Sequence, residues 1–336
     1  MSHRGAFSVV EMQGLILALD YGGTQLSAAI VAPGARQWLD LARVPSPPAK
    51  DARYDYDTML ALARKLLNDR KPDAIGVSFG GPVDAARGLV LLSHHVPAWE
   101  NVPLRDRLQK EFGVPVSIEN DANVAALGEC KFGAGQGCGS LLYVTVSTGV
   151  GGGWVLDGTI FHGSDSMAGE IGHTIGQPPA NLETRDRLPL CPCGRYGCVE
   201  ALACGPAIAR DARQRLIAEP NRGAKLRALA QGNLDTVSAE TVSRAASDGD
   251  ELALEVLHDA AHALGFGIGT AVTLINPERV AIGGGVSKSG ESWWRAVRES
   301  ARANTLPQMR VDIVPAALGD DAPLWGAVAL AQVPMR

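Results

Sequence analysis

The sequence predicts an α/β protein of two similar domains, each built on a largely parallel sheet. Three observations carry that expectation. Apolar strand-like runs alternate with stretches of helical spacing along the chain. A strand–glycine turn–strand unit occurs twice, at 15–31 and again at 141–158, which hints at an internal duplication. The chain has 336 residues, more than one hydrophobic core commonly serves.

The elements follow in order. Leu15–Leu19 is an apolar run, then DYGGT, then a second run at Leu26–Val31: strand, tight turn, strand. Met59, Leu60, Ala63, Leu66 and Leu67 recur at helical spacing, which predicts a helix over 58–68. Ala74–Phe79 reads as a buried strand that runs into Gly80-Gly81-Pro82-Val83-Asp84. Val114–Ile118 is another strand, followed by Glu119-Asn120-Asp121-Ala122-Asn123 and a helix over about 123–131. The second strand–turn–strand unit is LLYVTV, STGVGGG, WVLDG. A Pro- and Cys-rich irregular stretch covers 176–198, and helices are expected near 205–217 and 250–273. Val280–Ile282 is a strand ending in glycines, and 323–333 reads as the closing helix.

Composition narrows the function. The chain is 46% hydrophobic and 20% charged, as soluble globular proteins are. A net charge of −5 argues against nucleic acid as the main partner. No apolar run reaches membrane-spanning length, and the first 14 residues do not read as a signal peptide. A cytoplasmic protein without nucleic-acid or membrane partners is expected. Three of the six cysteines fall within eight residues, and in a reducing compartment such a cluster reads as metal-binding before it reads as disulfide.

Two turns can grip phosphate. In Asp20-Tyr21-Gly22-Gly23-Thr24, a strand delivers a carboxylate, two glycine N–H groups and a hydroxyl. In Ser147-Thr148-Gly149 and the glycines after it, a second strand does the same with hydroxyls. Each is also compatible with a plain glycine hairpin; two in one chain favour a nucleotide site. Neither is a P-loop or a Rossmann fingerprint. Asp121 reads in two ways. It is either a helix cap or a general base whose ionised form the helix N-terminus favours. His173, Cys191, Cys193 and Cys198 make a Cys₃His set suited to tetrahedral Zn²⁺ with no open position, so the ion is structural. Cys130, Cys138 and Cys204 read as small core or helix residues. Glu170 and Glu200 flank the ligands, and a bound zinc would draw both carboxylates towards one polyhydroxylated ligand.

Taken in order, D-x-G-G-T, G-x-P-V-D, E-N-D-A-N, T-G-V-G-G-G, E-x-G-H and C-x-C-G-x-x-G-C-x-E resemble the motifs of the ROK family over about residues 15–333. That family holds repressors, open reading frames and sugar kinases. The E-x-G-H plus cysteine pattern is the specific part; D-x-G-G-T alone is not. The resemblance implies the two-domain actin-like, hexokinase-type ATPase fold, with ribonuclease H-like domains and an interdomain cleft. Domains of 15–120 plus 318–336 and of 121–317 are expected, closing around the sugar to exclude water.

The resemblance also implies roles. Asp20 would organise Mg²⁺. Gly22, Gly23 and Thr24 would contact the ATP phosphates from one side, Thr148 and Gly149 from the other, with Gly284 and Gly285 near the nucleoside. Gly81, Asn120, Asp121, Glu170, His173 and Glu200 would line the sugar, and Asp121 would take the proton of its primary hydroxyl. His173, Cys191, Cys193 and Cys198 would hold zinc, as in bacterial zinc-containing glucokinases of the family. A homodimer or tetramer is implied. The expected reaction is ATP-dependent phosphorylation of a hexose 6-hydroxyl, glucose first. N-acetylglucosamine, N-acetylmannosamine, fructose and allose stay open, as does polyphosphate as donor. The alternative from another class is a sugar-sensing regulator, which would need a DNA-binding domain before a first turn that begins here at Asp20.

Three departures from the family pattern stand out. Gly80-Gly81-Pro82 replaces P-G-P and is expected to be more flexible. The stretch between His173 and Cys191 is longer than the family pattern, with PPANLETRDR at 178–187 read as the insertion, and Cys204 stands where serine is common. The segment 93–104 is expected in the wall near the sugar pocket.

Overall fold

The computed structural model describes residues 14–47, 49–93, 96–177 and 188–332. The chain divides into two compact units. The first comprises residues 1–137, 155–168 and 320–336, the second 138–154 and 169–319.

In the first unit, β1 (Ile16–Tyr21), β2 (Gln25–Val31), β3 (Asp40–Pro45), β4 (Ala74–Phe79) and β7 (Val116–Asn120) form one sheet in the order β3-β2-β1-β4-β7. β1, β4 and β7 are parallel, while β2 and β3 run antiparallel. The sheet is therefore mixed rather than largely parallel. β4 is buried along its whole length and β1 nearly so, which is why both read as unbroken apolar runs. A small hairpin, β5 (Val83–Asp84) and β6 (Leu89–Val90), follows β4. Helices α1 (Ala52–Leu67) and α2 (Leu104–Phe112) supply further apolar faces. α1 starts six residues before the expected position, because Asp51 caps it by accepting the Tyr54 N–H.

Helix α3 (Asp121–Phe132) and the closing helix Ala322–Ala331 pack tightly in this unit. A Cβ at Gly128 would meet Ala322 O at 2.7 Å, and one at Gly326 would meet Val124 O at 1.8 Å. Only glycine allows this approach. This packing corrects the expected boundary at 120/121: α3 belongs with the first unit, and the first break in the chain falls at 137/138. The final segment joins from 320 rather than 318. Residues 155–168 also join the first unit, with Ile160 buried against Leu127 and Ala329.

In the second unit, β8 (Ser140–Val146), β9 (Val150–Leu156), β11 (Arg279–Gly283) and β12 (Asp312–Pro315) continue the pattern. β10 (Thr159–Ile160), in the 155–168 segment assigned to the first unit, pairs antiparallel with the end of β9, and the sheet order is β10-β9-β8-β11-β12. This is the strand order of the first sheet, so the duplication read from the two strand–turn–strand units extends to topology. Helices α4 (Val199–Ala203), α5 (Gly205–Ala218), α6 (Ala224–Leu229), α7 (Ala239–Ser247), α8 (Glu251–Ile275) and α9 (Glu291–Ala303) complete this unit, and the closing helix is α10. Among the described residues no helix is long and apolar enough to cross a membrane.

Candidate active site

In the first unit, Asp20 is the penultimate residue of β1, just before the turn into β2. Its Oδ1 accepts the Ser78 hydroxyl at 2.8 Å. Burial pushes the Asp20 carboxyl up to about 7, the Ser78 hydrogen bond opposes the rise, and the nearby Asp121 charge adds to it. Gly23 and Thr24 are exposed at the turn, which Ser46 N–H pins by donating to Thr24 O at 2.8 Å. Lys50 Nζ lies 3.5 Å from Gly22 O and 3.2 Å from Asp55 Oδ1. This buried lysine behind the turn was not anticipated, since no spacing links it to the glycines.

Asn120 and Asp121 form the junction of β7 and α3. Asn120 Oδ1 accepts the N–H groups of Ala122 and Asn123 at 3.0 and 3.3 Å. Its Nδ2 donates to Gly81 O at 3.1 Å and to Asp121 Oδ1 at 3.0 Å. Asp121 Oδ1 also accepts Ala122 N–H at 2.8 Å. The cap is therefore Asn120. A Cβ on Gly80 would stand 3.8 Å from both Asp121 Oδ2 and Gly23 N, so the Asp121 carboxylate and the first glycine turn meet at Gly80. The 80–81 turn is hydrogen-bonded to its surroundings: Gly80 N–H donates to Tyr21 O and Gly81 N–H to Phe79 O, at 3.0 and 2.9 Å. In the 93–104 segment, Trp99 is fully buried against Tyr21 and Phe79, in the core of this unit; His94 and His95 lie outside the described residues.

In the second unit, Ser147 and Thr148 are exposed at the end of β8, and Gly205 N–H donates to Ser147 O at 2.7 Å. Gly284 stands against the same strand end: with φ 87°, a Cβ there would meet Val146 O at 2.3 Å, whereas Gly285 faces open space. Glu200 reaches this turn as well. Its Oε2 accepts Val150 N–H at 3.0 Å, and a Cβ on Gly149 would lie 2.7 Å from that oxygen. Cys191 Sγ lies 3.7 Å from Glu200 Oε1. Glu200 thus links the second glycine turn to the cysteine loop, a role its position two residues after Cys198 did not suggest.

The ligand atoms of His173, Cys191, Cys193 and Cys198 all lie within 4.8 Å of one another. Cys193 Sγ and Cys198 Sγ are 3.6 Å apart, as are Cys191 Sγ and His173 Nδ1. Tetrahedral zinc with bonds of about 2.3 Å to sulfur and about 2.0 Å to nitrogen requires edges of about 3.5–3.8 Å. The donor set fits the ion. His173 Nδ1 faces the sulfurs, and Nε2 faces Glu170 Oε2 at 3.8 Å. The loop is a tight hairpin in which Cys191 N–H donates to Arg195 O at 2.8 Å and Arg195 Nη2 donates to His173 O at 2.8 Å. Burial pushes the Cys191 thiol up to about 12, while hydrogen bonds from the Arg195 backbone and guanidinium bring Cys193 down to about 6. Cys130 and Cys204 are buried and Cys138 partly so, as expected of residues outside the cluster. The 178–187 stretch lies outside the described residues.

The first unit therefore brings together Asp20, Gly22, Gly23, Thr24, Gly81, Asn120 and Asp121. The second gathers Thr148, Gly149, Gly284 and Gly285 at one strand end, and Glu170, His173 and Glu200 around the cysteine loop.

Comparison with known proteins gives a consistent result. The ROK family model matches residues 16–333. A glucokinase from Halalkalibacterium halodurans is 34% identical over 317 residues, covering 92% of each chain. A ROK family glucokinase from Streptomyces griseus, solved with glucose and AMPPNP, superposes with a TM-score of 0.78 at 33% identity, covering 95% of this chain and 99% of that one. A ROK family transcriptional regulator, a homologue of the E. coli MLC protein, superposes with a TM-score of 0.82 at 26% identity, covering 96% of this chain and 78% of that one.

Proposed function

The chain belongs to the ROK family, and on that premise we propose that it transfers the γ-phosphoryl group of ATP to the 6-hydroxyl of a hexose, glucose being the preferred acceptor. Its repeated strand order is that of the actin-like, hexokinase-type ATPase fold. The observation that carries the reading is Asp121. Its carboxylate is held by Asn120 Nδ2 and Ala122 N–H beside the first glycine turn, while Asn120 does the capping. The glucokinase relatives and the complex with glucose and AMPPNP support the choice of sugar and donor.

In this reading the sugar oxygen attacks the γ-phosphorus in line, and ADP leaves. Asp121 accepts the hydroxyl proton, and the α3 N-terminus favours its ionised form. Gly22, Gly23 and Thr24 offer N–H and hydroxyl donors to phosphate oxygens, as do Thr148 and Gly149, and Gly284 and Gly285 receive the nucleoside. Gly81, Asn120, Glu170, Glu200 and the Nε2 of His173 orient the sugar hydroxyls. Asp20 would suit Mg²⁺: it is a desolvated carboxylate whose hydrogen-bond donor is the neutral Ser78, and the Arg43 charge offsets only a small part of the rise that burial causes. Bound there, Mg²⁺ supplies positive charge to the phosphates. His173, Cys191, Cys193 and Cys198 hold structural Zn²⁺ and so fix the loop that carries Glu200. Cytoplasmic location and a homo-oligomeric state complete the proposal. Glucose-dependent release of ADP from MgATP tests it.

A further inference from the structure

Glu119 precedes the cap residue and is 2% exposed. Its Oε1 accepts the Asn120 N–H at 2.8 Å and the Asn123 Nδ2 at 3.1 Å. Its Oε2 accepts the His162 Nε2–H at 2.5 Å. One buried carboxylate therefore ties together both ends of the 119–123 turn and a histidine 43 residues away. His162 is well placed to hold it. Ile160, two residues earlier, is buried against Leu127 of α3 and Ala329 of α10. Ala168 N–H donates to His162 O at 3.0 Å and closes the loop behind the ring.

We propose that His162 is a positioning residue for Asp121: by holding Glu119 it fixes the turn that aims the Asp121 carboxylate. The proposal rests on the reading of Asp121 as the base. A buried carboxylate that loses a donor must rotate, draw in water or take up a proton. Rotation disturbs the Asn120 N–H and Asn123 Nδ2 bonds, and Asn120 is the residue whose amide holds Asp121. Misplacing a reacting group by about 1 Å can cost about 10²-fold in rate. The hydrogen bond to Glu119 raises His162 above its ordinary 6.5, so the pairing also favours a charged ring against the buried carboxylate.

The test is a double-mutant cycle on the full chain with His162→Ala, Asp121→Asn and the pair. His162→Gln serves as a neutral donor, and melting temperature is followed alongside. His162→Ala is expected to lower kcat by about 10- to 100-fold, with the KM for glucose within about threefold of the parent. His162→Gln is expected to recover most of that loss. In the Asp121→Asn background, His162→Ala is expected to cost nothing further, because the group it aims is gone. Full repetition of the His162→Ala loss in that background would overturn the proposal and leave the base reading intact. So would a parent-like kcat in His162→Ala with only a lower melting temperature. A near-parent kcat in Asp121→Asn alone would overturn the base reading, and the proposal with it.

Discussion

Asn120 holds Asp121: its side-chain amide donates to Asp121 Oδ1 at 3.0 Å while its own oxygen caps α3. Of the two readings the sequence left for Asp121, capping is carried by Asn120, which leaves the Asp121 carboxylate for the proton acceptance we propose. Asp121→Asn should therefore leave the helix start intact and lower kcat by about 10²–10⁴, the usual cost of losing a general base. Sugar affinity should change much less, since an amide still meets a hydroxyl. A kcat within about threefold of the parent would make Glu170 the next candidate.

The Cys₃His set predicts about one Zn²⁺ per chain in freshly prepared protein, held tightly as structural zinc is. Cys193→Ser should lower zinc content, thermal stability and sugar affinity together, because Glu200 spans the loop and the second glycine turn. Metal analysis of active protein that finds no zinc would refute the assignment.

Asp20 gives a pH signature. Its ordinary value is 3.8 and burial raises it to about 7 in the folded chain. Between those values the folded state holds the extra proton, so this group makes the parent lose stability as pH rises across that window. Asp20→Asn does not titrate. Without magnesium or nucleotide, the melting temperature of the variant relative to the parent should rise from about pH 5 to about pH 8. A variant-minus-parent difference that stays constant or falls over that range would contradict the raised value. The same variant should lose most activity with MgATP.

A homo-oligomer is expected in solution. Sedimentation at micromolar concentration should give a species heavier than the 35.2 kDa chain, and a single monomeric boundary would refute it.

Much of the site was legible because it lies at strand ends. β1, β4 and β8 are short apolar runs whose glycine-rich exits mark the turns. The Cys₃His cluster was legible because three of its members sit in one loop. Domain membership was not. That α3 belongs to the first unit depends on Gly128 and Gly326 facing each other across two helices nearly 200 residues apart in sequence, and neither glycine carries a local signal. Short helices such as α6 and α7 offer too few turns for a period to emerge. The early start of α1 was hidden because its first turns, ARYDYD, are largely polar. The Glu119–His162 pair was invisible for the reason Lys50 was: a contact between distant residues leaves no spacing to read.

Phosphoryl transfer to a hexose is the reaction the proposed site performs. The most direct measurement is coupled ADP release from MgATP by the purified chain across a panel of hexoses and N-acetylhexosamines, with glucose 6-phosphate identified as a product. Glucose should give the highest kcat/KM, and ADP release should depend on the sugar. Sugar binding without ADP release from any member of the panel would contradict a kinase and favour the sensing role of the family's regulators.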